Sequence, residues 1–552
     1  MSKSGCLSRR FKAFTLLCAI ALSVDASATP VLQLRLRAPD IASDEAWNLT
    51  RDMIAANPGC CDEVWFSTGI GVPPVAVHAD RAARMVRAAE ELRSLGIKPS
   101  IQFQATIGHG DKLSLTEDCS AKTWTGWTGS AGVEAKACNC PRHPEFLAYV
   151  REVARLYAAC KPAWVWIDDD LRFDNHTPAT IGSRPGCWCN RCIADFNVAT
   201  GGNWTRKSLN EAMEKDASLL KSWVEFSEDS IADVARAIAE EFCKISSDTK
   251  MALQHGMTHV GTIMKVLAEL HKTSGAPVGF RPGGGAYYDV NPNSQVLKSL
   301  YSARFRRKIG NPEWISPWTP EVESWPRVYG SRSAQSVLVE GFTALMYGMD
   351  AVSMLITHTG NEDRDLYSRT ILKPVSDGAN VLRGYAIANK GTVPVGFSCD
   401  LPVDQLYGFA ATGVPVLFGI GRNCGTLSSQ DVMINRCTAT SNAVQEKRNT
   451  LDGRAGGAPA LVTSPFVGLM LPRVSKKDGS LCTVALLNIR IDEQGPVQLI
   501  LRRVSNGAKA VWREMRRQPV DVPLVREGSS VRATIPCIAA WNAGYLEVEK
   551  GG

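Results

Sequence analysis

The chain has 552 residues, more than the ~100 to 250 of most single domains, so a large domain with one or two smaller ones is expected. Its content of 45% hydrophobic and 21% charged residues is near the globular average and excludes a disordered chain. The formal net charge of +7 is spread along the sequence without a basic block interleaved with aromatic residues, which argues against a nucleic-acid partner.

The first 28 residues have the pattern of a secretory signal peptide. A basic start precedes an apolar run over residues 13–24, and Ala26-Ser27-Ala28 then offers an A-x-A cleavage site. About a dozen apolar residues fall short of the ~20 that a membrane-spanning helix needs, and no later segment is apolar enough. We therefore expect a protein without a membrane span that is exported, to the periplasm or the medium, after cleavage near Ala28.

After the leader, short apolar strand patterns alternate with longer helical patterns, such as those over 80–95 and 144–159. Eight such units over ~350 residues predict an α/β fold, a (β/α)8 barrel. An open doubly wound sheet is the alternative, but its usual glycine-rich turn is missing after the first strand. The predicted strands cover 31–35, 63–66, 99–103, 163–167, 251–254, 278–280, 313–315 and 351–355.

Beyond about residue 390 the pattern changes. We expect the barrel over 29–390, a small middle α/β segment over 391–460 and a C-terminal β sandwich over 461–552. The middle segment has strand patterns at 394–397 and 415–419, and 441–457 is interpreted as a polar loop. Alternating strands of the sandwich are predicted at 483–489, 497–502, 531–535 and 544–548.

Three consecutive carboxylates, Asp168, Asp169 and Asp170, follow the fourth predicted strand. Carboxylates this close repel one another unless an arginine, a metal ion or a proton compensates them. A solvated turn, or an ion pair with Arg172, would explain the cluster without a function. Because barrel active sites lie at the carboxyl ends of the strands, the position favours a site that includes Arg172.

A second acidic cluster, Glu321 and Glu323, follows the seventh predicted strand beside Trp318. Tryptophan can stack on the apolar face of a sugar ring, and two opposed carboxyl groups are what glycosidic cleavage requires. Further predicted substrate contacts follow other strands. They are His109, His255, Arg281 and Tyr288, the last next to Tyr287. The expected partner is an oligosaccharide or another glycoside.

These motifs resemble family 42 β-galactosidases and their clan A barrel relatives. In that family an Asn-Glu pair ends strand four and is followed by C-x-C-x-x-C, a Phe and a Leu-Asn; here the corresponding stretches are 168–170, 187–196 and 209–210. Glu323, three residues before Pro326, resembles the family's strand-seven glutamate. The resemblance implies a β-galactosidase-like glycosidase that retains anomeric configuration, and the predicted leader implies that it is exported.

The resemblance also assigns roles. Asp170 corresponds to the acid/base, Glu323 to the nucleophile, and Glu321 is the alternative for either role. The family's Asn-Glu pair is Asp169-Asp170 here, so Asp169 stands where an asparagine would contact a sugar hydroxyl, and the chain diverges from the family at this motif. The middle segment is shorter than the family's flavodoxin-like domain, which leaves a homo-oligomer as an open alternative.

Cysteines are numerous, and export permits disulfides. There are 17 in all; two lie in the leader, and the odd number that remains leaves at least one free, metal-bound or paired between chains. Cys187, Cys189 and Cys192 have metal-ligand spacing, and the resemblance supplies Cys140 as a fourth thiolate. Four thiolates fit a structural zinc without a catalytic role. Two disulfides are the alternative, although C-x-C places two thiols too close for easy separate bridging. No cofactor is expected for catalysis.

Two rival functions remain open from the sequence. One is a catalytically silent carbohydrate-binding barrel, suggested by aspartate in place of the family's glutamate. The other is a metal-dependent hydrolase that holds a divalent ion on the aspartates 168–170 and a nearby histidine.

Overall fold

One parallel sheet, closed on itself, forms the larger part of the structure. This computed structural model describes residues 32–110, 118–173, 184–325, 330–356, 364–432, 441–454 and 456–551, without the side chains of 407 and 441–445. The predicted signal peptide lies outside the described residues. In the described part, no helix is both long and apolar enough to cross a bilayer.

The first eleven strands build the barrel and one hairpin. They are β1 (Leu32–Arg35), β2 (Glu63–Ser67), β3 (Lys98–Phe103), β4 (Gly126–Thr128), β5 (Glu134–Asn139), β6 (Trp164–Ile167), β7 (Lys250–Gly256), β8 (Val278–Gly283), β9 (Ile315–Trp318), β10 (Glu321–Glu323) and β11 (Val352–Leu355). The parallel sheet has the order β10-β11-β1-β2-β3-β6-β7-β8-β9, and β4 and β5 form a separate antiparallel pair.

The chain segment of β9 and β10 closes the barrel. β9 pairs with β8 and β10 pairs with β11, so one stretch of chain supplies both edges of the sheet. Pro317 and Pro320 have no N–H for the ladder, which explains why this strand is interrupted. All eight predicted strands, and with them the predicted (β/α)8 barrel, are confirmed; the seventh begins at Ile315 rather than 313 and extends to Glu323.

Helices cover the outside of the barrel. They are α1 (Asp44–Ala55), α2 (Val75–Ser94), α3 (Pro144–Ala158), α4 (Asn190–Thr200), α5 (Arg206–Met213), α6 (Ala217–Ile245), α7 (Val260–Ser274), α8 (Pro292–Lys308), α9 (Ala334–Met346), α10 (Arg364–Tyr367) and α11 (Lys373–Ala388). In α2 the buried residues Ala82, Met85, Ala89 and Leu92 recur at three- and four-residue spacing, which turns one apolar face to the barrel.

Side chains along the barrel strands alternate between an apolar outer face and the lumen. In the lumen, aromatic side chains give way to polar ones towards the carboxyl ends of the strands. Trp65 and Trp166 stack in the lumen with ring centroids 4.2 Å apart. Below them the buried Glu63 carboxylate accepts hydrogen bonds from Gln33 (3.2 Å) and from the Trp166 indole (3.3 Å). Burial raises the pKa of Glu63. The polar side chains towards the carboxyl ends of the strands are those of the candidate site.

Two further sheets follow the barrel, as predicted for the C-terminal region. Their strands are β12 (Thr392–Ser398), β13 (Val416–Leu417), β14 (Arg422–Thr426), β15 (Ala460–Val462), β16 (Gly468–Ser475), β17 (Leu481–Asn488), β18 (Val497–Leu501), β19 (Lys509–Glu514), β20 (Val520–Asp521), β21 (Leu524–Glu527), β22 (Ser530–Ile535) and β23 (Asn542–Glu549). One sheet has the order β13-β12-β16-β17-β23-β19-β20 with β14 beside β12, and the other has the order β15-β18-β22-β21. A common apolar core includes Leu486, Leu499 and Ile535.

The middle segment contributes the helices α12 (Leu406–Ala411), α13 (Ser429–Val432) and α14 (Ser441–Arg454). The prediction of a polar loop over 441–457 is therefore wrong. The sequence of this helix has little apolar periodicity, so its pattern did not indicate a helix. Its contacts are instead made by the buried Arg448, which donates to the carbonyl oxygens of Ser464 (2.7 Å) and Phe466 (3.1 Å), and by the buried Leu451.

The aromatic layer of the lumen should be essential for stability. Trp166→Ala leaves a cavity beside Trp65 and removes a donor from Glu63, so we expect the free energy of unfolding to fall by roughly 3–5 kcal/mol. Val198 on α4, whose side chain is mostly exposed, provides the matched control: Val198→Ala should change it by less than ~0.5 kcal/mol. Urea unfolding of both variants measures the difference, and equal losses would contradict a packed lumen.

Candidate active site at the carboxyl ends of the barrel strands

Polar side chains on six strands, or directly after them, meet at the carboxyl end of the barrel. Arg281 at the end of β8 is their centre, with its side chain 1% exposed. Its Nη1 donates to Glu321 Oε1, and its Nε (3.1 Å) and Nη2 (2.9 Å) donate to Gln254 Oε1. Arg281 Nη2 also lies 4.0 Å from Asp169 Oδ2. One guanidinium therefore joins the predicted acidic clusters of strands four and seven.

Glu321 is held by three donors. Besides Arg281, the Tyr287 hydroxyl (2.9 Å) and the Gly284 N–H (3.3 Å) donate to Oε2. Burial and the charge of Glu321 raise the pKa of Tyr287. Tyr288, the predicted contact, is about half exposed. Tyr287 is the tyrosine that contacts the site.

Glu323 lies one step nearer the mouth than Glu321, since both face the lumen from β10 at alternate positions. Arg35 Nη1 donates to Glu323 Oε2 at 3.1 Å. The Glu323 side chain is 11% exposed, against 5% for Glu321, so Glu323 is the more accessible of the two.

The backbone of β10 is held by a buried ion network. Lys298 of α8 donates to the Glu321 carbonyl oxygen (2.5 Å), and Arg332 donates to the Glu323 carbonyl oxygen (3.0 Å). Both cations pair with Glu340 of α9, at 2.8 Å and 2.5 Å, and all three side chains are at most 3% exposed. This network fixes the strand that carries both glutamates.

The aspartates after β6 differ in their surroundings. Asp168 accepts from Gln102 (2.5 Å) and Gln254 (3.3 Å), and burial together with Asp170 and Asp169 raises its pKa to about 7. Burial would also raise the pKa of Asp169, but the charges of Arg281 and Arg172 outweigh it and hold that pKa below its usual range. Arg172 Nη1 lies 3.9 Å from Asp169 Oδ2, which is the ion pair that would explain the cluster without a function.

Asp170 forms a short hydrogen bond with a histidine. Its Oδ1 lies 2.5 Å from His109 Nδ1, and its side chain is fully buried. Burial alone would lower the pKa of His109, but the bond to Asp170 and the charges of the three aspartates raise it to about 9. The ligand atoms of His109, Asp169 and Asp170 lie within 4.8 Å of one another, a spacing that could also hold a cation.

Two other predicted contacts form no hydrogen bond with these side chains in the described structure, although the charges of Arg172 and Asp169 act on His255. His255 is buried; its Nδ1 bonds the Gly256 carbonyl oxygen at 2.5 Å, its Nε2 has no hydrogen-bond partner among the described residues, and burial lowers its pKa to about 4. Trp318 faces the helices, with its indole N–H on the Ile315 carbonyl oxygen (3.0 Å) and its ring edge-on to Phe280. The structure therefore does not bring Trp318 to the mouth.

Several residues of the site escaped the sequence prediction. Three of them are polar residues on buried strands, at the alternate positions that face the lumen: Gln102, Gln254 and Arg35. The alternation of side chains along each strand could have identified them. Lys298, Arg332 and Glu340 lie on helices or loops distant in sequence, where nothing local marks them.

The predicted cysteine ligands come together beside this site. The sulfur of Cys140 lies 3.6 Å from that of Cys189 and 3.5 Å from that of Cys192, and the four sulfurs with Cys187 lie within 4.8 Å of one another. All four thiols are buried, and no described cysteine forms a disulfide. A tetrahedron with metal–sulfur bonds of ~2.3 Å separates its sulfurs by about 3.8 Å, so the four thiols fit zinc.

No protein-family model matches the chain, and no curated protein sequence does. Solved structures do match. An α-L-fucosidase, isoenzyme 2, from Paenibacillus thiaminolyticus has a TM-score of 0.58 at 11% identity, over 95% of this chain and 100% of that one. A catalytic mutant of a GH42 β-galactosidase from G. stearothermophilus has 0.55 at 9% identity, over 94% and 98%. A cold-adapted β-galactosidase from Rahnella sp. R3 has 0.51 at 12% identity, over 94% and 98%.

These neighbours are glycoside hydrolases. At such identities the likeness is one of fold: a parallel barrel followed by a sheet-rich C-terminal region, over nearly the full length of each chain. The structural neighbours thus include the family that the sequence motifs resemble.

The Glu340 network gives a test of how the site is built. Glu340→Ala leaves Lys298 and Arg332 buried without their counter-ion, and we expect a loss of ~3–5 kcal/mol in the free energy of unfolding. Glu211→Ala is the control, because its side chain is well exposed and its pairing with Lys207 at 3.9 Å is weak. Urea unfolding measures both variants; a Glu340→Ala protein as stable as the control would show that the network does not hold β10.

Proposed function

We propose that the chain is a glycoside hydrolase that cleaves a glycosidic bond with retention of configuration at the mouth of the barrel. The observation that carries the proposal is the sharing of Arg281 by the carboxylates after β6 and on β10. A retaining glycosidase needs a nucleophilic carboxylate opposite an acid/base group. The fold of the glycosidase neighbours supports the same reaction class.

Glu323 is the proposed nucleophile. It is the more accessible glutamate of β10, and the Arg35 bond keeps one of its oxygens oriented. Its carboxylate would attack the anomeric carbon while the leaving oxygen takes a proton from the β6 side of the mouth. Glu321, bound by Arg281, Tyr287 and Gly284, is a positioning residue in this scheme. The group Asp170 with His109 supplies acid/base assistance.

The substrate is proposed to be a glycoside of the kinds that the neighbours' names print, a β-galactoside or an α-L-fucoside. Buried, charged donors such as Arg35 and Arg281 suit sugar hydroxyl groups, and Asp169 suits a hydroxyl as acceptor. Export through the predicted leader would bring such an enzyme to glycosides outside the cytoplasm.

Loss of the nucleophile can be rescued chemically. On an aryl glycoside that the wild-type protein cleaves, Glu323→Ala should lower kcat/KM on the order of 10³-fold, equivalent to ~4 kcal/mol. Azide should enter the space left by the carboxylate and give a glycosyl azide of inverted configuration, measurable by NMR. Glu313→Ala, an exposed glutamate outside the mouth, is the matched control and should keep wild-type rates.

Three outcomes would contradict this assignment. If the wild-type protein binds sugars in calorimetry but cleaves no aryl glycoside of a broad panel, the barrel is a silent binding module. If Glu323→Ala cleaves as fast as Glu313→Ala, another group is the nucleophile, with Glu321 tested next. If brief chelation abolishes activity, the aspartate cluster holds a catalytic metal ion.

We also propose that Cys140, Cys187, Cys189 and Cys192 hold one structural zinc ion, with no step of catalysis at the metal. The four sulfurs lie within 4.8 Å of one another and are buried, the arrangement that a tetrahedral thiolate site requires. Elemental analysis should give about one zinc per chain. Cys189→Ser should lose the metal and melt at a lower temperature, whereas Cys243→Ser, outside the cluster, should do neither. Disulfides among these four cysteines, detected by mass spectrometry, would end the proposal.

A further inference from the structure

His109 covers the carboxylate to which the family resemblance assigns proton transfer. The Asp170 side chain is 0% exposed, whereas the His109 side chain bonded to it is 24% exposed. A glycosidic oxygen that enters the mouth on this side would reach the imidazole before the carboxylate. A general acid must lie within hydrogen-bond reach of the atom it protonates.

The turn that carries His109 is built to hold it in place. Gly108 and Gly110 on either side have φ of +114° and +95°, a backbone conformation that favours glycine. A Cβ at position 108 would lie 2.3 Å from the Ala137 carbonyl oxygen, so the turn packs directly on the β4–β5 hairpin. Asn139 of that hairpin donates through its side chain to the carbonyl oxygens of Thr106 and Ile107, both at 3.2 Å.

The turn also stands opposite the proposed nucleophile. His109 follows β3, the third strand of the ring, and Glu323 belongs to the seventh. In a closed ring of eight strands these two positions face each other across the mouth. An acid/base group and a nucleophile on opposite sides of the glycosidic bond are what a retaining reaction requires.

We propose that His109 is the proton donor and acceptor of the reaction and that Asp170 is a positioning residue. The inference rests on the proposed glycosidase function. As Glu323 forms a bond to the anomeric carbon, the glycosidic C–O bond breaks, and its electron pair stays on the leaving oxygen, which takes the proton from His109 Nε2. The neutral imidazole then removes a proton from water, whose oxygen attacks the anomeric carbon and releases the Glu323 carboxylate. Throughout, Nδ1–H donates to Asp170.

The charges around His109 suit this cycle. Asp168, Asp169 and Asp170 act on it, and together they outweigh burial and raise its pKa to about 9. The imidazole is therefore protonated at neutral pH, ready to act as an acid. As the pH rises through this pKa the proton is lost, so the first chemical step should slow on the alkaline side.

Paired substrates with poor and good leaving groups test the proposal. His109→Asn should lower kcat/KM on a phenyl glycoside by ~10²- to 10⁴-fold and affect a 2,4-dinitrophenyl glycoside far less, because a good leaving group needs little protonation. The alkaline limb of the kcat/KM profile should disappear. In Asp170→Asn the limb should remain but move down from about pH 9 towards the ordinary histidine value of ~6.5.

Two further variants separate chemistry from structure. His109→Ala should regain activity when imidazole is added, which a misfolded protein would not. His259→Asn replaces a histidine that lies outside this pair, near Phe173, and should keep the wild-type leaving-group dependence.

The opposite pattern would overturn the inference. If His109→Asn keeps the wild-type alkaline limb while Asp170→Asn loses activity selectively on the phenyl glycoside, Asp170 is the acid and His109 only supports it. If His109→Asn matches His259→Asn on both substrates, proton transfer runs elsewhere although the glycosidase function stands. A wild-type protein that cleaves no glycoside overturns both proposals.

Discussion

The arrangement of the site depends on one buried cation between two sets of carboxylates. The mouth gathers acidic side chains from strands β6 and β10 at a depth where little water screens them, and like charges so placed would repel one another and favour protonation. Arg281 lies between the two sets. Its guanidinium donates hydrogen bonds to Glu321 and Gln254 and lies 4.0 Å from Asp169. Because a guanidinium stays charged at any physiological pH, the compensation does not depend on titration.

The same compensation extends outward in two directions. Arg35 pairs with Glu323. Asp169 has two cations near it, Arg172 at 3.9 Å and Arg281 at 4.0 Å. On the helix side the buried anion is Glu340, which pairs with Lys298 and Arg332. These two cations donate hydrogen bonds to backbone carbonyl oxygens of β10. The glutamates are thus fixed through both their side chains and their peptide groups, as preorganised electrostatics demands.

The sequence was informative where a feature is local or periodic. All eight barrel strands were located from short apolar runs between helical patterns. The aspartates were found because they follow such a run directly, whereas Glu321 and Glu323 lie a few residues beyond the predicted run, on β10 itself. The position of Trp318 follows from the same periodicity: Thr319, Glu321 and Glu323 face the lumen, so Trp318 must face the helices. The choice of Tyr287 over Tyr288 could not be made, because a loop has no period that fixes its side chains. Helix α14 was missed because Arg448, a residue typical of surfaces, does the anchoring.

Because the β9–β10 segment closes the barrel, it determines at which stage of folding the site can form. β11 pairs with β1, with Val352 beside Leu32, so the ring is complete only when two ends of a very long stretch of chain have met. Contacts between residues so distant in sequence form slowly, because the chain loses conformational entropy on closing the loop before the strand pairing stabilises it. Glu321 and Glu323 lie on the strand that joins the two edges. The group that joins the aspartates after β6 to these glutamates is therefore complete only once the ring has closed.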